Sequence, residues 1–201
     1  MRTSEDFPLF PLSIFPVPGQ QTGLHIFEAR YRLLFEQLES MELVEFGIPF
    51  SLNGKLSGYG SVSRLIACGE KDENGHRDVM IQSTDLFRLK RFDQNESNPS
   101  HPYPTGSIER IRDWNEWQVQ GSALDDWTQM QTLQAQTKEP IQPMISVIEV
   151  LQELTPEGAQ VNQIVSDLAA GRHPSRLNAM LRFARVVMQQ EVQIKRGYFP
   201  N

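Results

Sequence analysis

Residues Phe7 to Ile14 are apolar enough to form a strand, yet Pro8 and Pro11 interrupt them. Proline has no backbone N–H to give to a ladder, so this run belongs at a sheet edge or carries a bulge. The chain therefore opens on an edge. Pro16, Pro18 and Gly19 mark a turn, and Gln21 to Phe27 reads as a second extended stretch.

Glu28 to Ser40 is a short predicted helix. Tyr31, Leu34, Phe35 and Leu38 repeat at helical spacing and give it one apolar face. Glu28 sits where the positive end of the helix favours an acid. Strand signals resume at Glu45 to Leu52, followed by Asn53-Gly54, a strong hairpin signal. Gly58 to Cys68, Val79 to Ser83, Leu86 to Phe92 and Thr105 to Trp114 are further strands. A polar turn spans Glu70 to His76, and a loop rich in Asn, Ser and Pro runs from Asp93 to Pro104. Short strands at this spacing predict a sandwich or barrel.

The last third changes period. Leu124 to Thr137 reads as helix, with Pro140 and Pro143 as punctuation. Met144, Ile145, Ile148, Leu151 and Leu154 form a helical stripe, and Val161, Ile164, Val165 and Leu168 form another. Gly171 is the expected stop, and Pro174 suits the first turn of a long last helix with Leu177, Met180, Leu181, Ala184, Val187, Met188 and Val192 on one side. The link from Trp117 to Ala123 is short, and the helices carry apolar faces that need a partner, so both parts are expected to act as one unit.

A chain of 201 residues buries roughly 70% of its unfolded surface, enough for a core without staples. Its single cysteine, Cys68, allows no internal disulfide and fits a reducing compartment. Met1 to Asp6 has no apolar core of signal-peptide length and no run is long enough to span a membrane, so the expected location is cytoplasmic. The net charge of −6 speaks against nucleic acid as the main partner. Six basic residues from Arg172 onward face one acid, Glu191, so that segment carries +5 and the rest −11. Such a basic end is either a pairing device or, more simply, a solvated helix face.

The opening also carries a resemblance. Phe7-Pro8-Leu9-Phe10-Pro11-Leu12, Pro18-Gly19 and Leu24-His25-Ile26-Phe27-Glu28-Ala29-Arg30-Tyr31-Arg32 are similar to the start of the N-terminal domain of Lon proteases. Phe46-Gly47-Ile48, Gly60 to Ile66, Ile81 to Leu89 and Tyr103 to Arg112 continue the likeness. Ala29 stands where that family has proline, Ser83 where it commonly has glycine, and Leu86 where it commonly has arginine. The resemblance implies an α+β fold: a PUA-like β-barrel with one short helix over residues 1–117, then a C-terminal α-helical bundle over 118–201. It implies a stand-alone module that binds protein substrates and cuts nothing. No Gly-x-x-x-x-Gly-Lys-Ser/Thr phosphate loop occurs in the sequence, and no cofactor is expected.

Chemistry elsewhere is sparse. His25 has Glu28 and Arg30 nearby, but Ile26 and Phe27 suggest a core-facing turn and a structural role. Cys68 reads as an inert thiol. His76, His101 and His173 lack a second ligand at metal spacing, and Glu70, Asp72 and Glu73 read as a solvated turn. Trp114, Trp117 and Trp127 suit packing where strands meet helices. The expected polypeptide-binding residues are Phe7, Phe10, Phe15, Phe27 and Trp117, with strand addition along the opening edge. Expected partners are unfolded or tagged polypeptides and a separate protease or ATPase, with self-association an open alternative. The runner-up function is an RNA- or nucleotide-binding PUA-like protein, for which the C-terminal arginines are the basic candidates.

Overall fold

The computed structural model describes residues 6–94, 102–135 and 144–198. His101, Pro140, Pro143 and the predicted helix end at Thr137 lie outside them. Strands β1 (Phe7–Pro8), β2 (Gln21–Ile26), β3 (Phe46–Leu52), β4 (Lys55–Cys68), β5 (Arg77–Asp93) and β6 (Thr105–Arg110) form one sheet in the order β1-β6-β5-β4-β3, with β2 paired to β5 off that path. All these pairings are antiparallel. Helix α1 (Ala29–Glu39) separates β2 from β3. After β6 come a 3₁₀ turn (Trp114–Glu116) and helices α2 (Ser122–Ala135), α3 (Val147–Leu154), α4 (Gly158–Ala169) and α5 (Ser175–Tyr198).

Asn53 and Gly54 have φ of 51° and 74°, the left-handed pair that a two-residue hairpin of this twist requires. The two strands expected over 79–83 and 86–92 are one strand, β5. Its register against β4 steps from Val62–Asp85 to Ser63–Ser83, leaving Thr84 as the extra residue of a bulge. The polar Ser-Thr-Asp run that looks like a break is absorbed there without ending the strand.

The opening residues behave as their prolines demand. Phe7 and Pro8 pair with β6. Leu9 then donates its N–H to the Pro104 carbonyl, whereas Phe10 and Leu12 donate to Gly47 and Pro49 of β3. Among the described residues its ladder to β3 consists of two isolated parallel bridges, Leu9–Gly47 and Leu12–Phe50. The sheet is thus laced at one end and does not close into the expected barrel. Phe10 and Leu12 face β3, so by alternation residue 11 faces the other way, where Pro11 has no N–H to donate.

Apolar residues gather in three clusters. Helix α1 lays Tyr31, Leu34, Phe35 and Leu38 against Phe10, Phe46, Ile48 and Ile81. Phe7, Leu9, Val62 and Phe87 fill a second, smaller cluster. The largest joins sheet residues Phe50 and Leu86 to Trp117, Trp127, Val147, Leu151, Ile164, Val165, Leu177 and Leu181. Sheet and helices therefore share a core. Ser146 and Glu149 form a reciprocal capping box that starts α3. Asp85 accepts from Trp114 Nε1 at 2.7 Å and from Arg110 at 2.9 Å. The Arg88 guanidinium donates to the Ala169 carbonyl, at the helix end where the α4 dipole favours a cation.

Helix α4 begins against bare backbone. A Cβ on Gly158 would lie 2.8 Å from the Ser13 carbonyl oxygen and 2.8 Å from the Phe50 ring. Helix propensity alone favours alanine there by about 1 kcal/mol, but backbone cannot rotate out of the way. Gly158→Ala is expected to lower stability by about 1–3 kcal/mol through overpacking, read as an earlier urea midpoint. A later midpoint would show that α4 can shift away freely.

Candidate functional site

Among the described residues, strand β2 is paired on one side only, with β5. Asp78 gives its carbonyl to the Gly69 N–H on the β4 side, so His25 and Asp78, which face each other across β2 and β5, form a non-hydrogen-bonded pair. By alternation Gly23 and Met80 do the same. The N–H and C=O groups of Gly23 and His25 consequently point away from β5, toward the open side. Gly23, which has only backbone to expose, is exposed, and a Cβ there would meet nothing nearer than the Met80 methyl at 4.0 Å.

Beside this edge lies a groove of ≈ 420 Å³. One wall holds Leu24, His25 and Phe27; the other holds Phe10, Pro11 and Leu12. Leu56, from the β3–β4 hairpin, also lines it. The groove lies between β2, the strand off the main path of the sheet, and the opening segment. Tyr31 belongs to its lining, and burial pushes that phenol up to about 12, with the neighbouring Arg30 opposing.

The rim charges are already matched. Arg30 bonds Glu28 at 2.9 Å, so the Glu28 carboxylate serves Arg30 and makes no side-chain cap for α1. His25 Nδ1 lies 2.8 Å from the Asp78 carboxylate. The rings of His25, Phe27 and His76 form a triangle with centroid separations of 6.1–6.5 Å. His25 is thus an exposed rim residue, contrary to the core-facing turn expected from Ile26 and Phe27; of these, only Ile26 is buried. The turn bearing His76 is tied to α1 by Lys71–Glu36 and Arg77–Glu39 ion pairs at 2.7 and 2.6 Å.

The five expected binding residues separate. Phe7, Phe10, Phe15 and Trp117 are buried, at 5–8% exposure, whereas Phe27 is 56% exposed. The opening edge is consequently no rail of exposed aromatic rings: its side chains point into the clusters. Phe10 and Phe27 share the groove. Phe15 lines a ≈ 220 Å³ hollow against α3 and α4, and Trp117 a ≈ 360 Å³ hollow against α5. Leu24 and Leu56 were missed in the sequence; their neighbourhood depends on which strand edge is left open, and the one legible hint was Pro11.

Other chemistry does not assemble. Cys68 is half-buried, and burial raises its thiol pKa, away from nucleophilic character. Asp72 accepts from the backbone N–H of His76 and of Asn74, which lowers its pKa, and forms the solvated turn expected there. Among the described residues no group of three or more His, Cys, Asp and Glu is placed to hold a metal ion, and no helix is long and apolar enough to cross a membrane.

No protein-family model and no curated protein sequence matches this chain. Solved structures do. The Lon N-terminal domain protein from Xanthomonas campestris is 18% identical with a TM-score of 0.55, over 88% of this chain and 96% of that one. The N-terminal domain of Mycobacterium avium complex Lon protease is 9% identical with a TM-score of 0.57, over 90% and 98% respectively. The chain has the fold of a Lon N-terminal domain.

The Lys71 tie is testable by titration. A hydrogen bond from Lys71 holds the Glu36 carboxyl below its usual value of 4.5. A lowered folded-state pKa stabilises above the unfolded pKa, and that contribution fades as pH falls through the folded value. Lys71→Met is expected to move the Glu36 carboxyl upward by NMR. The stability difference from the parent should be small, because the pair is exposed, and should vanish toward acid. An unmoved Glu36 would remove Lys71 as the tie.

Proposed function

We propose that this chain is a non-enzymatic polypeptide-recognition module that holds unfolded or tagged polypeptides in the groove between β2 and the opening segment. The observation that carries this reading is an apolar groove whose rim charges are paired off among themselves. Such a surface offers dehydration of apolar side chains, and the charged groups of its described rim are already engaged. The likeness in fold to solved Lon N-terminal domains supports the same reading. In this scheme any bond breaking belongs to a separate protease or ATPase that receives the held chain. The acidic balance of the sequence disfavours the nucleic-acid alternative.

The test is retention on immobilised protein. Reduced and alkylated α-lactalbumin, which stays unfolded, should be held, and its native form should pass through. Placing aspartate at both Phe27 and Leu56 should weaken retention about tenfold or more, the loss of two apolar contacts. If unfolded chains pass through at high micromolar concentration, the proposal is wrong.

A further inference from the structure

Resting on that polypeptide-binding reading, we infer that the client is taken up as an extended strand that pairs with the open edge of β2 and drops a large uncharged side chain into the groove beside it. Three observations converge on this mode. First, Gly23 and His25 direct their N–H and C=O groups away from β5, as the Asp78–Gly69 bond and the β2–β5 register require. Second, the six residues of β2, Gln21 to Ile26, include no proline, no lysine and no inward charge, three devices that commonly protect an edge. Third, the facing wall includes Pro11, which has no N–H to donate across the seam. An incoming strand supplies the N–H donors that Pro11 lacks.

Charge selects the occupant. Glu28 is matched by Arg30 and His25 by Asp78, so a charged side chain entering the groove would lose water without gaining a partner. Leu12, Leu24, Phe27 and Leu56 suit an aliphatic or aromatic one. A second copy of this chain is a poorer fit. The strand it would bring is its own β2, where Ile26 is buried and Leu24 half-buried within the copy, so its exposed large side chains are the polar Gln21 and His25, a poor match for an apolar groove. The affinity then divides between main-chain hydrogen bonds, which ignore sequence, and one side-chain pocket, which does not.

The experiment uses the full chain and the peptide Thr-Val-Thr-Phe-Thr-Val-Thr, capped at both ends. Two further forms carry N-methyl groups, one on the odd residues and the other on the even ones. All three keep their side chains, and each methylated form blocks one edge of the peptide strand. The parent peptide should bind, and one methylated form should lose affinity about tenfold or more while the other keeps it, since removing two hydrogen bonds is worth that much. Gly23→Pro removes an outward N–H and no bond to β5, and should produce a similar loss with an unchanged circular dichroism spectrum. The peptide comparison stands even if that variant fails to fold.

Equal binding of all three peptides, or no binding of the parent peptide by protein that still retains unfolded lactalbumin, overturns strand addition and leaves the module reading intact. A dimer in sedimentation that Gly23→Pro dissociates overturns it too, by making a second copy the occupant. Loss of all binding to unfolded chains instead removes the proposed function on which this inference rests.

Discussion

The fold depends on how the opening segment distributes its backbone N–H groups. Leu9 donates to the β6 side, Phe10 and Leu12 donate to β3, and Pro8 and Pro11 donate to nothing. The same dozen residues supply side chains to all three apolar clusters: Phe7 and Leu9 to one, Phe10 to the second, Phe15 and Val17 to the third. Hydrogen-bond direction and burial are therefore fixed by one stretch of chain. Its aromatic rings face inward because the backbone between β6 and β3 has solvent on one side and core on the other. That geometry explains why a segment that looks like an exposed hook is a lace.

The helices complete the sheet and do not form a separate apolar unit. Phe50 and Leu86 of the sheet need cover, and α3, α4 and α5 need something to cover; each solves the other's problem of burial. Polar bonds fix the docking. Gln152 of α3 donates to the Pro18 carbonyl, Ser57 of β4 bonds Asn162 of α4, and Arg88 caps α4. The connection is stitched as well: Val119 donates to Ile145, and Val147 donates to Trp117. Between helices, Asp126 of α2 and Arg185 of α5 pair at 2.6 Å in a half-dry setting. Breaking such a pair leaves one charge poorly solvated, so its role is orientation as much as attraction.

Much of this was legible in local signals. Asn53-Gly54 demanded a hairpin, the spacing of Tyr31, Leu34, Phe35 and Leu38 gave α1 its buried face, and Gly171, with φ of 66°, ends α4 as glycine at a helix stop should. The two prolines put the opening at an edge. What local signals could not give was the partner of each edge. Thr84 hid a bulge inside what read as two strands, because a single unpaired residue leaves no periodicity. Phe7, Phe10 and Phe15 looked available because an irregular apolar segment has no alternation from which to read its inner side. Phe27 was the reverse: it follows buried Ile26 by one residue, and the period of two in an extended chain sends it outward.

The open seam is itself a consequence of these rules. An unpaired N–H or C=O in water is satisfied by solvent and costs little. If the opening segment moved over to cover β2, the groups of Gly23 and His25 would leave water and meet Pro11, which can donate nothing. Each buried carbonyl left without a partner costs about 1–3 kcal/mol, so collapse of the groove gains apolar contact and loses it again in stranded polar groups. The seam persists because its two sides are mismatched in donors: one wall has outward N–H and C=O groups, and Pro11 on the other has a carbonyl but no N–H. A third party carrying its own backbone meets no such penalty. The same mismatch that holds the opening segment off β2 leaves the outward groups of Gly23 and His25 to solvent.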